Sequence, residues 1–168
     1  MLSVDGKTII QRNLEVLIPL FSEIIISGWP ANEPLPDGLQ EVSDNFAGLG
    51  PLGGIEAALR VSSGSSLFVF GGDMPWLSPL LICQQYDYYR KAGCDILVPR
   101  INERSEPLHS IYRKKVHERL FRYLKSGGNC AVRKFTETTA FAYFDLPDTA
   151  ENRKSFSNIN SPSDLLHP

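Results

Sequence analysis

Asp73 is the residue whose type and position are best suited to chemistry. It stands in the string GGDMPW directly after the apolar run Leu67 to Phe70, and the two glycines let a backbone or a ligand approach closely. Mg²⁺ takes one or two protein carboxylates and fills its other positions with water and phosphate oxygens. Asp73 is therefore a candidate magnesium ligand and catalytic residue. The alternative is that it only caps the turn into Met74 and Pro75.

A second candidate is the stretch GPLGG, from Gly50 to Gly54, which leads into an apolar helical pattern. Backbone N–H groups at the start of a helix can bind a phosphate or the edge of a base. Glycine-proline turns before helices also serve geometry alone, so this stretch by itself leaves both interpretations open.

The third candidate is the pair Asn158 and Asn160, separated by one residue. On an extended segment both amides point to the same side, where they can bridge a ligand hydroxyl and a backbone carbonyl. The alternative is that both belong to the turn before Ser161 and Pro162, for which asparagine is well suited.

Alternating strands and helices must position these residues. Apolar runs predict strands at 23–27, 39–43, 66–70, 95–98, 108–112 and 139–144, and helical patterns span 8–18, 55–61, 79–92 and 115–124, with a further helix start at 161–164. The alternation predicts one α/β domain over 1–168: a doubly wound, mostly parallel sheet with helices on both faces. Ligands bind such sheets beyond the carboxyl ends of the strands.

The composition limits the partners. With 168 residues, 42% hydrophobic and 21% charged, the chain matches one ordinary globular domain. Its net charge of -2 and pI near 5.9 provide no field for a nucleic acid. Three widely spaced cysteines indicate neither a disulfide framework nor a zinc site. Without a signal-peptide core or a membrane-length apolar run, we expect a cytoplasmic protein that does not enter a membrane.

In combination, these elements resemble the molybdenum cofactor guanylyltransferase family, the MobA-like nucleotidyltransferases. The likeness covers essentially the whole chain, through VDGKTIIQRNLEVL, Asp44 followed by GPLGG, GGDMPWL, EPLHSIYR at 106–113 and NINSPSDL at 158–165. It implies a Rossmann-like nucleotidyltransferase fold with the nucleotide site at the strand ends. Members of this family begin with a strand and a glycine-rich loop, LAGGxSxRMGxxK, so we expect this chain to be truncated there.

The resemblance also implies roles for individual residues. Asp73 resembles the magnesium-binding aspartate, Asp44 the acidic residue ahead of the loop, and Asn158 and Asn160 the pair near the reacting phosphates. The stretch at 100–113 resembles the part that faces the pterin, without individual roles. His109 within it is interpreted as a packed or half-exposed residue rather than a catalyst, because phosphates are already ionised and the attack needs no strong base. The loop beside the bound GTP is matched by Gly50, Pro51, Leu52, Gly53 and Gly54.

The activity implied is transfer of GMP from GTP to molybdopterin, with Mg²⁺ as cofactor and release of pyrophosphate. The sequence leaves three alternatives: cytidylyl or other nucleotidyl transfer, sugar-phosphate nucleotidyl transfer, and a non-catalytic remnant that binds pterin or a partner protein. Transient contact with proteins that mature molybdoenzymes is a further expectation.

Overall fold

The computed structural model describes residues 3–4, 6–46, 48–159, 161 and 164. Within these ranges the strands are β1 (Ser3–Val4), β2 (Lys7–Thr8), β3 (Ile24–Ser27), β4 (Leu39–Val42), β5 (Ser66–Phe70), β6 (Ile96–Ile101), β7 (Arg104–Ser105), β8 (His109–Arg113) and β9 (Phe141–Leu146). The helices are α1 (Ile9–Leu17), α2 (Pro51–Val61), α3 (Pro79–Ala92), α4 (Val116–Lys125), α5 (Val132–Thr136) and α6 (Ala150–Ser155).

A five-stranded sheet forms the centre. β8 lies between β5 and β6 and is antiparallel to both, while β9 pairs in parallel with β6 along its whole length and β7 pairs with the end of β6. The predicted α/β class is confirmed, but the sheet is mixed rather than mostly parallel. The seven residues 102–108 are too few for the crossover that a parallel return strand needs.

Helices cover both faces of this sheet. Ile96 and Val98 of β6 pack in one cluster with residues of α2, α4 and α5, whereas Leu97 packs on the other face with Tyr89 of α3. Alternate residues of a strand point to opposite faces, so a nearly continuous apolar run indicates a strand buried on both sides. Within the described ranges, no helix combines the length and the apolar character needed to cross a lipid bilayer.

β3 and β4 form a separate parallel pair. Among the described residues, no backbone hydrogen bond joins this pair to the five-stranded sheet. Side chains make the connection instead: the ring of Phe21, just before β3, stacks on Phe68 of β5 with centroids 5.8 Å apart. Leu17, Met74 and Ile82 are buried in the same cluster, against which Phe21 and Phe68 pack. Aromatic and aliphatic packing therefore sets the position of β3 relative to β5.

Several boundaries differ from the sequence prediction. β6 was expected to end before Pro99 but continues to Ile101, since its pairing with β8 ends at Leu97 and the proline removes no donor from that pair. The hairpin of β1 and β2, the strand β7, and the helices α5 and α6 were not predicted. Each is six residues or fewer, which is too short for periodicity to reveal.

Candidate functional site

Ser27 and Asp44 meet where the parallel strands β3 and β4 end. Ser27 Oγ donates a hydrogen bond to Asp44 Oδ1 over 2.6 Å. The first turn of α2 packs directly against this pair: a β-carbon at Gly54 would lie 2.9 Å from Ser27 Oγ, and one at Gly53 would lie 3.0 Å from Asp44 Oδ2. A β-carbon at either position would force its neighbours to shift, so the two glycines let the helix N-terminus approach the Asp44 carboxylate.

The predicted glycine-proline loop is mostly helix. The helix was expected to begin at Ile55, but Gly50 is its N-cap with φ 63° and Pro51 is its first residue. Proline suits that position because its missing N–H would have no intrahelical partner. The Leu52 side chain is fully buried in the core, so it can reach a ligand only through its backbone. The stretch therefore presents backbone donors on a rigid helix of eleven residues.

Asp73 follows β5 in a tight turn, with the Met74 N–H bonded to the Gly71 carbonyl. Two backbone hydrogen bonds join this turn to other segments. The Gly71 N–H donates to the Leu108 carbonyl over 2.9 Å, and the Asp73 carbonyl accepts from the Ile159 N–H over 2.8 Å. The end of β5, the segment before β8 and the C-terminal segment are thus held together at one place.

Glu106 is a further candidate site residue, which the sequence did not single out. Burial raises the pKa of its carboxyl group, the Leu108 N–H bonded to Oε1 lowers the pKa, and the charge of Asp73 raises it further. The two carboxylates therefore repel each other, and a bound cation would relieve this repulsion. The available signal was an acidic residue at the start of EPLHSIYR, immediately before a strand.

The asparagine pair is described in part. Asn158 is exposed, next to the Ile159 junction with Asp73, and its side chain makes no hydrogen bond within the part of the chain that is described. Asn160 lies outside the described residues. At the predicted helix start, the Asp164 carboxylate accepts from the Ser161 N–H over 2.8 Å, which is a capping interaction.

The donor set at Asp73 fits Mg²⁺. The described ranges contain no group of three or more His, Cys, Asp or Glu side chains that could hold a metal ion. Mg²⁺ does not need such a group, because it retains waters and substrate oxygens and takes one or two carboxylates. The charge of Asp73 acts on Glu106, so these two carboxylates are the candidates to hold the ion.

His109 is packed, as expected. Its side chain is fully buried between the rings of Phe68 and Phe156, and burial lowers its pKa from 6.5 to about 4. Gln85 donates to the His109 carbonyl and accepts from Nδ1, which leaves Nε2 without a hydrogen-bond partner among the described residues. A neutral, enclosed imidazole cannot serve as a base for a substrate outside it.

A cleft of about 750 Å³ lies beside Trp76, between α1, residues 75–79 and α6. The Arg12 guanidinium carbon is 4.8 Å and Lys154 Nζ is 4.3 Å from the centroid of the Trp76 ring. The described walls of the cleft include none of the predicted site residues.

The candidate site residues fall into two groups. Asp73, Glu106 and Asn158 lie at one place, and Ser27, Asp44 and the start of α2 lie at another. No hydrogen bond or ion pair among the described residues joins Asp44 to Asp73.

Comparisons with known proteins identify the family and the fold. A protein from Pelotomaculum thermopropionicum, described as a probable molybdenum cofactor guanylyltransferase, is 34% identical over 99% of this chain and 81% of its own length. The crystal structure of molybdopterin-guanine dinucleotide biosynthesis protein A from Archaeoglobus fulgidus superposes with a TM-score of 0.77 at 27% identity, covering 98% of this chain and 85% of that one.

A more distant structure shares the fold alone. It is 2-C-methyl-D-erythritol 4-phosphate cytidylyltransferase from Thermus thermophilus, with a TM-score of 0.73 at 15% identity over 98% of this chain and 88% of its own. The family model of the MobA-like NTP transferase domain matches residues 1–141. The family expected from the residues is confirmed: the chain belongs to the MobA-like NTP transferases.

Proposed function

We propose that this protein transfers GMP from GTP to molybdopterin, with release of pyrophosphate, in the biosynthesis of the molybdenum cofactor. The names carried by its relatives support the reaction. The structural observation that supports a location for this reaction is the junction at Asp73. There, backbone hydrogen bonds hold the end of β5, the Glu106 segment and the Asn158 segment together.

The bonds in this reaction balance without a covalent enzyme intermediate. A phosphate oxygen of the pterin forms a bond to the α-phosphorus of GTP, and the bond from that phosphorus to the β-phosphate oxygen breaks in line. The attacking phosphate is already ionised at neutral pH, so no strong base is required. What the protein must supply is positioning and stabilisation of phosphate charge.

Asp73 and Glu106 are the residues that would hold Mg²⁺ in this reaction. The bound ion supplies positive charge to the phosphate oxygens. Asn158 has an exposed amide with two donors and one acceptor beside this place, which supports a role in binding a phosphate or a sugar hydroxyl. The start of α2 offers backbone donors and the positive end of a helix dipole to the nucleotide.

Purified protein with GTP, Mg²⁺ and molybdopterin tests the proposal. We expect pyrophosphate release and formation of a molybdopterin guanine dinucleotide in equal amounts, with Asp73→Ala as the control for contaminating enzymes. Reaction with CTP instead of GTP would favour cytidylyl transfer. Tight binding of the pterin without release of pyrophosphate would indicate a binding module and contradict the proposal. The cytoplasmic location and contact with molybdoenzyme maturation proteins stay predictions.

A further inference from the structure

Helix α4 contacts both α2 and the segment that follows Asp44, although α4 carries none of the predicted site residues. The contact has two parts. His117 Nε2 lies 2.8 Å from Oε1 of Glu56 on α2, and the ring of Phe121 packs edge-on against Phe46 with centroids 5.5 Å apart. His117 and Phe121 are four residues apart and therefore lie on the same face of the helix.

Glu56 is the centre of this contact. Its side chain is fully buried, at 0% exposure, and each carboxylate oxygen has its own partner. His117 Nε2 donates to Oε1, since a carboxylate can only accept, and Asn45 Nδ2 donates to Oε2 over 3.3 Å. A buried carboxylate is tolerated only when it is paired and hydrogen-bonded. His117, Glu56 and Asn45 thus form one connected chain.

This chain ends next to a predicted nucleotide-binding residue. Asn45 follows Asp44, whose carboxylate accepts from Ser27 and packs against the first turn of α2. Phe46 completes the segment; its carbonyl lies 3.0 Å from the position of a β-carbon at Gly53. Residues 44–46 are therefore fixed by β3 and α2 at Asp44, by Glu56 at Asn45 and by α4 at Phe46.

We propose that His117 is a positioning residue for nucleotide binding: through Glu56 and Asn45 it holds residues 44–46 so that Asp44 and the start of α2 are preorganised for GTP. The inference rests on the proposed function for the identity of the nucleotide. Without His117, these residues would have to become ordered when GTP binds, and the cost of that ordering would weaken binding. The reacting phosphates are assigned to Asp73, outside this chain of contacts, so the turnover step should be unaffected.

Three variants test this assignment. His117→Ala removes the donor to Glu56, and His117→Gln replaces it with an amide that reaches the Nε2 position. The matched control is Glu118→Gln, because Glu118 is the next residue of α4 and its side chain is 82% exposed in an ion pair with Arg122. Should the alanine variant not fold, His117→Asn gives the same contrast with glutamine, since its shorter amide does not reach Glu56.

We expect the KM and the Kd for GTP to rise about five- to twentyfold in His117→Ala, with kcat within about twofold of the parent. His117→Gln should return the KM to within about twofold, and Glu118→Gln should match the parent. An unchanged KM would overturn the assignment. So would a loss of kcat with KM unchanged, or equal impairment by alanine and glutamine.

A second readout does not depend on the reaction. The amide of Leu49 reports the position of Phe46, because it donates to the Phe46 carbonyl over 3.2 Å. Hydrogen exchange of the ligand-free protein should show this amide exchanging about tenfold faster in His117→Ala, but not in His117→Gln, while the amides of β6 keep the parent's rates. Unchanged exchange at Leu49 would overturn the inference whatever the parent protein catalyses. If the parent neither binds GTP nor transfers GMP, the proposed function fails, and the exchange result still decides the role of His117.

Discussion

The backbone N–H of Ile159 donates to the backbone carbonyl of Asp73 over 2.8 Å. Because the bond involves main-chain atoms only, it holds Asn158 beside Asp73 whatever side chains these two positions carry. Neither the Asp73 nor the Asn158 side chain makes a hydrogen bond or ion pair within the described ranges. Substitutions at either position therefore separate chemistry from folding.

Asp73→Ala should abolish metal-dependent transfer and leave the fold intact. Removal of a metal ligand is expected to lower kcat/KM by about a thousandfold or more. The melting temperature should equal or exceed that of the parent, because the loss of Asp73 also relieves its repulsion with Glu106. Kinetics and thermal unfolding of the same preparation check both parts. A variant that turns over near the parent rate would make Asp73 a turn residue only.

Asn158→Ala and Asn152→Ala should have opposite effects. The exposed amide of Asn158 has no partner in the described chain, so its loss should change the free energy of unfolding by less than about 0.5 kcal/mol while lowering catalytic efficiency. Asn152 Nδ2 donates to the Pro147 carbonyl over 2.9 Å, so its loss should cost about 1 kcal/mol without affecting catalysis. Urea unfolding and steady-state kinetics of both variants provide the comparison. The reverse pattern would return Asn158 to a structural role.

Gly54→Ala should disturb the contact between α2 and Asp44. The new β-carbon would lie 2.9 Å from Ser27 Oγ, so either the hydrogen bond to Asp44 or the helix must shift. We expect a loss of about 1–2 kcal/mol in the free energy of unfolding and weaker nucleotide binding. Gly72→Ala is the control, because a β-carbon there meets nothing within 4 Å. Equal stability of the two variants would argue against the tight packing.

The buried His109 should make stability depend on pH. Its pKa is lowered from 6.5 to about 4 because burial penalises the charged form, so between these values the unfolded chain binds a proton that the native chain does not. Stability is complete above pH 6.5 and falls as the pH drops towards 4, by about 3 kcal/mol in total.

His109→Asn isolates this effect, since asparagine keeps a polar group near the Nδ1 position and does not titrate. Urea unfolding at pH 7 and at pH 4.5 should show a smaller loss for the variant than for the parent. Other groups, such as Glu106, titrate in both proteins, so their contributions cancel in the comparison. Equal losses of stability in the two proteins would mean that His109 accepts a proton as readily in the folded as in the unfolded protein.

The sequence by itself determined the strongest elements of the fold. The strand at 66–70 and the helix at 79–92 have the boundaries that were predicted, because a bounded apolar run and a proline-to-glycine helix pattern are local signals. The family also followed from the sequence, through the order of GPLGG, GGDMPW, EPLHSIYR and NINSPSDL. The roles assigned to Asp44, Asp73 and Asn158 stay predictions. Asp73 and Asn158 lie within such motifs, and Asp44 precedes one.

Only the tertiary structure decided which residues meet. Glu106 lies beside Asp73 because the Gly71 N–H bonds to the Leu108 carbonyl, and the short segment before β8 forces an antiparallel return. His117 lies 61 positions from Glu56 in the sequence and belongs to none of the motifs. Local patterns report how one segment folds, whereas these pairs depend on how two helices and two loops pack around one core. Long-range packing carries no periodicity in the sequence, so it had to be observed.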